Sequence, residues 1–243
     1  DWVLNGGAYT AVDKAESEAE LALAVNAGAP RAFAEALSRM GGSLLQLSTD
    51  FVFNGRQGTP YRPEQQRDPL GIYGATKAAG EEAVGQVFGG SGRAVILRTS
   101  WVMGPVGHNF MLTMLRLHRE REQISVVADH VGCPTSTFSL AQACWRAIER
   151  SSAKTSDLGQ IHHWSDAGAA SWYDVAVAIG ELGLEVGLLE RAAQVAPITT
   201  ADYPTPAQRP SYSLLDCTAT RRALDLEPIH WRKALRRVLE AVQ

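Results

Sequence analysis

The chain has 243 residues, 45% of them hydrophobic and 20% charged, an ordinary globular composition that is long enough to bury a sizeable core in one large or two intimately packed domains. With 23 Lys and Arg against 26 Asp and Glu, the formal charge of −3 gives no electrostatic footprint for nucleic acid. No apolar run approaches the ~18 residues that a membrane helix needs, and three scattered cysteines, Cys133, Cys144 and Cys217, form neither a disulfide scaffold nor a zinc motif, which predicts a reduced, cytoplasmic protein.

Asp1-Trp2-Val3-Leu4 reads as a strand running straight into the turn Asn5-Gly6-Gly7-Ala8. A dinucleotide-binding sheet opens with a strand, a glycine-rich turn and a helix, the glycines letting the backbone approach a pyrophosphate at the helix N-terminus. No GxGxxG or GxxGxxG stands in such a context here. Residues 18–26 and 30–40 follow as helices, the second with Pro30 at its start and Gly41-Gly42 after its end. The run from Ser43 to Ser48 reads as a buried strand, and the Gly-, Pro-, Asp- and Arg-rich stretch 55–71 as an irregular loop leading to a helix that carries Tyr73. Gly89-Gly90-Ser91-Gly92 is a loop before a strand over 94–97, followed by a helix over 109–120, a short strand over 124–127 and a helix over 139–148. This alternation predicts an α/β fold with a doubly wound parallel sheet. From about Thr155 the elements shorten: a strand over 161–164, a helix capped by Ser171 with Asp174 at its third position, and a proline-rich passage ending at Pro210. Arg232 to Arg237 lie on an amphipathic C-terminal helix and read as a solvated face. His108, His162 and His163 read as surface or hydrogen-bonded core residues.

The chemistry-bearing feature is Tyr73-Gly74-Ala75-Thr76-Lys77. On a helix, Tyr73 and Lys77 share one face, so an ammonium can sit beside a phenol. A free phenol has a pKa near ~10, and a fixed neighbouring cation favours the phenolate and draws that value toward the working range. Thr49, or with less weight Ser48, would orient the reacting oxygen from the carboxyl end of its strand, where open α/β sheets place their ligand crevice. Taken alone the Tyr/Lys pair is also a common surface arrangement, Asp50 a common turn residue, Trp101 a common packed aromatic, and 203–210 a rigid connector.

Longer segments carry a resemblance. Asn5-Gly6-Gly7-Ala8-Tyr9-Thr10-Ala11-Val12-Asp13-Lys14-Ala15-Glu16, Ser48-Thr49-Asp50-Phe51-Val52-Phe53, Arg98-Thr99-Ser100-Trp101-Val102, Gly132-Cys133-Pro134-Thr135, Ser171-Trp172-Tyr173 and Tyr203 to Pro210 run in order along the chain. Together with Asn109-Phe110 and Thr113 to Arg116 they resemble the extended branch of the short-chain dehydrogenase/reductase superfamily, and within it the dTDP-4-dehydrorhamnose reductase family. The resemblance implies a Rossmann-like sheet whose first βα units are missing, with residues 1–154 forming a partial NAD(P)-binding domain. Residues 155–243 would form mainly a smaller C-terminal substrate-binding lobe, with an interleaved boundary.

By that resemblance Tyr73 donates a proton to the sugar C4 oxygen as hydride arrives, Lys77 binds the nicotinamide ribose and lowers the phenol pKa, and Thr49 aligns the carbonyl. Gly7, Ala8, Tyr9, Thr10 and Leu47 join Tyr73 and Lys77 in touching NADPH or NADH. Asp50 and Trp101 contact the sugar, and Arg209 the nucleotide or its phosphates. The implied substrate is dTDP-4-dehydrorhamnose. Mg²⁺ and a homodimer stay open, some relatives using the metal at a dimer contact. Gly6 and Gly7 stand in place of the family's usual alanines, and Phe51 and Met103 in place of frequent tyrosines, which loosens the turn and alters sugar contacts. Other readings are another nucleotide-sugar enzyme of the same fold, an epimerase or a 4,6-dehydratase, dehydration being disfavoured because Phe51 rather than Glu follows Asp50, and a non-catalytic NADP-binding regulatory subunit.

Overall fold

A computed structural model describes residues 1–153 and 159–242; the expected boundary between 154 and 155 lies outside them. The chain divides into two compact units, one formed by Asp1–Thr99, Gln142–Trp164 and Thr205–Leu226, the other by Ser100–Ala141, Ser165–Pro204 and Glu227–Gln243.

The first unit is built on a parallel sheet of order β1 (Trp2–Asn5), β2 (Ser43–Thr49), β3 (Ala94–Thr99) and β8 (Ile161–Trp164). All six residues of β3 are buried, as expected for a central parallel strand whose two faces are both covered; Ala94 to Leu97 form the apolar run such a strand favours, and Arg98 and Thr99 follow it. The register sets Ser48 opposite Arg98 and Thr49 opposite Thr99. Helices α3 (Ala29–Met40) and α4 (Ile72–Phe88) contribute Ala34, Val84 and Phe88 to a core with Leu44, Ala94 and Ile96. Burying side chains such as Leu44 and Ile96 contributes roughly 1.5–3 kcal/mol each. A second cluster joins Val52, Phe53, Tyr61, Leu215 and Cys217, with the rings of Phe53 and Tyr61 stacked at 4.2 Å.

The two helices expected over 18–40 are continuous. After the short α1 (Val12–Ala15), α2 (Ala19–Leu23) enters a π turn (Ala24–Gly28) that feeds α3 with no break. Pro30 is the second residue of α3, directly after the π turn, where the widened backbone already departs from the regular i to i−4 ladder that its missing N–H would have joined. Gly41 ends α3 in the left-handed region at φ 75°, as the sequence predicts.

The second unit contains β4 (Val102–Met103), α5 (Phe110–Glu120), β5 (Gln123–Val127), β6 (Val131–Gly132), β7 (Thr135–Ser136), β9 (Ala170–Ser171), α7 (Trp172–Glu185), β10 (Gln194–Ile198) and α9 (Trp231–Glu240). Helix α6 (Thr137–Ser152) and α8 (Thr218–Leu224) complete the chain. Ser171 and Asp174 form the predicted capping box at the start of α7. The parallel β5–β10 pair was not legible, because Pro197 inside β10 argues against a strand and is tolerated only where no ladder partner needs its nitrogen. Of the C-terminal arginines, Arg237 is exposed, while Arg232 and Arg236 are half exposed and paired with Glu181 and Glu185 on α7. Among the described residues no helix is long and apolar enough to cross a membrane.

Candidate active site

Thr49 is the last residue of β2, and its hydroxyl oxygen accepts a hydrogen bond from the Phe51 N–H at 3.2 Å, capping the 3-10 turn Asp50–Val52. The same hydroxyl donates to Asp50 Oδ1 at 3.1 Å. Burial pushes the Asp50 carboxyl up to about 6 against hydrogen bonds from Ser213 and Thr49, and its Oδ2 has no partner among the described residues. A buried acceptor left unmatched is a costly arrangement, and it fits a group that meets a donor on an incoming ligand.

Tyr73 is the second residue of α4, entered through the extended Gly71. Burial pushes the phenol up to about 12, with the Thr49 hydroxyl opposing and the Asp50 charge adding to the rise. The expected lowering by Lys77 is therefore not what this arrangement gives. Lys77, 5% exposed, donates to the Leu47 carbonyl at 2.7 Å. Its own pKa is drawn down by burial to about 8, with the Glu81 charge opposing. At neutral pH the site thus holds a protonated phenol and a cationic amine. That is the form suited to donating a proton to a developing alkoxide. Phe51 meets Tyr73 edge-on at 5.5 Å, where a hydroxyl-bearing ring would have brought a further polar group.

The turn after β1 is held from below. The Tyr9 N–H donates to Asn26 Oδ1 at 2.9 Å, while Asn26 Nδ2 donates to the Tyr9 carbonyl at 3.2 Å and to Thr76 Oγ1 at 3.1 Å. Asn26 sits in the π turn, and such turns recur at functional sites. Gly6, Gly7 and Thr10 are exposed, and Ala8, Tyr9 and Leu47 half-buried. A Cβ on Gly6 would come no closer than 3.9 Å to Leu47, so the backbone there is open to close approach by a ligand. The Lys77 ammonium has three N–H donors, and one is given to Leu47. Open turn, spare ammonium donors and neighbouring phenol fit a nicotinamide nucleotide.

Arg209 binds Asp13 bidentately, at 3.1 and 2.7 Å, and reaches Thr205 Oγ1 and the Ala207 carbonyl. Trp101, in the second unit, has a positive φ of 48° and stacks on Trp172 at 3.7 Å. The sequence singles out Thr49, Tyr73 and Lys77, which lie at the end of β2 and on the first two turns of α4, but not Asn26, Glu81 and Arg98. Arg98 carried a signal, since a charge inside an apolar strand must find a buried partner.

The family model described as RmlD substrate binding domain matches residues 1–243. The dTDP-4-dehydrorhamnose reductase of Sinorhizobium fredii is 39% identical over 243 residues, covering 100% of this chain and 80% of that protein. The crystal structure of a dTDP-4-dehydrorhamnose reductase from Clostridium acetobutylicum aligns with a TM-score of 0.89 at 34% identity over 98% of this chain and 80% of that one. The enzyme of that name from Bacillus anthracis, solved in complex with NADP, aligns with a TM-score of 0.86 at 35% identity, covering 98% and 79%.

Proposed function

Because the chain belongs to the RmlD substrate binding domain family, whose relatives named above are dTDP-4-dehydrorhamnose reductases, we propose that Thr49, Tyr73 and Lys77 are its catalytic residues. The chain is an oxidoreductase that uses a nicotinamide cofactor to reduce the C4 ketone of dTDP-4-dehydro-β-L-rhamnose to dTDP-L-rhamnose. The observation that carries the residue assignment is the placing of Thr49 at the carboxyl end of β2 and of Tyr73 and the buried Lys77 one turn apart on α4, with Lys77 tied back to β2 through the Leu47 carbonyl at 2.7 Å.

The reduced nicotinamide supplies the hydride that adds to C4. Tyr73 gives its phenolic proton to the oxygen that becomes an alkoxide, a contribution worth roughly 10² to 10⁴ in rate. Thr49 aligns that oxygen with the phenol. Lys77 holds the ribose hydroxyls and, as a cation, offsets the charge left on Tyr73 after proton transfer. Gly7, Ala8, Tyr9, Thr10 and Leu47 line the cofactor's path, and the unmatched Asp50 Oδ2 accepts from a sugar hydroxyl. Trp101 packs on the sugar. Arg209 takes the nucleotide phosphates after giving up Asp13. This reading makes residues 1–154 mainly the cofactor domain and 155–243 mainly the substrate lobe, with NADPH the cofactor in a cytoplasmic homodimer. No residue is assigned to Mg²⁺: among the described residues no group of three or more His, Cys, Asp or Glu is gathered.

The test is Tyr73→Phe in the natural protein, assayed by NAD(P)H oxidation with dTDP-4-dehydrorhamnose. Turnover falls about 10²-fold or more while the cofactor dissociation constant stays within about twofold; wild-type turnover would remove the proton donor. If wild-type protein oxidised no cofactor yet bound a partner enzyme stably, the regulatory-subunit reading would take its place.

A further inference from the structure

Glu81 lies one turn beyond Lys77 on α4, so Tyr73, Lys77 and Glu81 occupy successive turns of one helix face. It is 2% exposed and Arg98 1%, and every acceptor direction of its carboxylate is in use. Oε1 accepts from Ser48 Oγ at 2.5 Å and Arg98 Nε at 2.8 Å. Oε2 accepts from Arg98 Nη2 at 2.7 Å, with Arg67 Nη1 at 3.5 Å. Arg98 is fixed in turn: its Nη1 donates to the Pro63 carbonyl at 3.1 Å and stands 3.3 Å from His163 Nε2, and its guanidinium lies over the Phe53 ring at 5.1 Å. Three elements therefore meet at one carboxylate: α4 through Glu81, β3 through Arg98, and β2 through Ser48, the neighbour of Thr49.

Stability alone explains this poorly. Removing two charges from water is expensive, and apolar residues of similar volume serve a core as well or better. What a fixed bidentate pair adds is direction: it sets both the rotation of α4 and its height along β2. Catalytic groups must be held within about 0.5 Å of productive geometry by such supporting shells. We infer that Glu81, clamped by Arg98 and strutted to β2 by Ser48, is a positioning residue that fixes Lys77 and Tyr73 relative to Thr49. The inference rests on the reading that those three residues carry the reaction.

The charge of Glu81 also favours the Lys77 ammonium. The groups bearing on this are Tyr73 and Lys77 on the same helix, Arg98 from β3, Arg67 from the loop before α4, and His163 from β8, which meets Arg98 from its other side. Removing the carboxylate charge disfavours the ammonium, so Lys77 loses its proton at a lower pH.

The test uses three variants of the natural protein: Ser48→Ala, Glu81→Gln, and the charge-free double variant Glu81→Met with Arg98→Met, which stays foldable because no buried charge is left unpaired. Each is measured for thermal midpoint, kcat, sugar-nucleotide KM and the pH dependence of the NADPH dissociation constant. The expected result is that Ser48→Ala and the double variant unfold near the wild-type temperature and keep KM within about threefold, while kcat falls about tenfold and 100-fold respectively. In Glu81→Gln the alkaline loss of NADPH affinity moves down by about one pH unit. Wild-type kcat in the folded double variant, or an unmoved alkaline limb in folded Glu81→Gln, would overturn the positioning role. Tyr73→Phe is run alongside: if it keeps wild-type turnover the catalytic reading itself is lost, whereas its inactivity beside fully active Ser48 and Glu81 variants removes this inference alone.

Discussion

Gly74 and Phe51 are in such close approach that a Cβ on Gly74 would lie 2.2 Å from the Phe51 carbonyl oxygen and 3.0 Å from Pro69 Cβ. Helix α4 thus begins against the backbone of the turn that follows Thr49, and only a glycine next to Tyr73 allows it. Gly74→Ala forces the two apart by about 1 Å, costing about 1–3 kcal/mol of stability and about 10²-fold in turnover through the misplaced phenol. Urea unfolding and steady-state rates of the folded fraction check this; an unchanged kcat would show that the contact does not set the site.

Asp50 offers a stability prediction with a definite sign. Its folded-state pKa is raised from 3.8 to about 6, so the fold binds a proton more readily than the unfolded chain. Stability is therefore lost as pH rises from about 4 to about 6, and the cost persists above that range. Asp50→Asn should raise the thermal midpoint at pH 7, the gain amounting to at most ~3 kcal/mol, and should give no gain near pH 4. Sugar-nucleotide KM should rise in the same variant, because Asn presents a donor where the carboxylate accepts.

Lys77→Ala removes a charge-assisted hydrogen-bond donor worth roughly 1.5–3 kcal/mol. NADPH affinity, followed by fluorescence titration, should weaken about tenfold to 100-fold. In the wild-type protein that affinity should decline as pH rises through about 8, where the buried amine loses its proton. A flat profile to pH 9.5 would separate Lys77 from the cofactor.

Asn26→Ala removes the partner of both backbone groups of Tyr9 and of the Thr76 hydroxyl. Stability should fall by about 2–3 kcal/mol. The turn over Gly7 to Thr10, no longer held, should bind NADPH more weakly while the sugar-nucleotide KM changes little. Equal effects on both ligands would mean that Asn26 supports the whole unit rather than the turn.

Much of this was readable from residue order, for reasons that differ by element. Strands β2 and β3 announce themselves because a parallel sheet covered on both faces favours apolar-rich runs such as Leu44 to Leu47 and Ala94 to Leu97, and α7 because Ser171 and Asp174 satisfy its first N–H groups. Thr49, Tyr73 and Lys77 stand out as candidates because their types and spacing suit the chemistry. The size of the Lys77 effect on the phenol was not, since spacing says that a cation is near but not how much water both groups lose; here desolvation wins. Glu81 reads as an ordinary exposed i+4 partner of Lys77 until Arg98 is known to lie behind it. Asn26 had no local signature at all, because its role depends on a π turn.

That turn has a consequence for how the chain tolerates change. An α-helix advances about 100° per residue, and the wider loop of backbone at Ala24–Gly28 takes up one extra residue so that α2 and α3 run on without a break. Deleting one residue between 24 and 28 would restore a regular helix with its two flanks nearly in phase, but would remove the widened turn that presents the Asn26 amide to Tyr9. Insertions and deletions, far more than substitutions, are what natural variants of this segment should avoid.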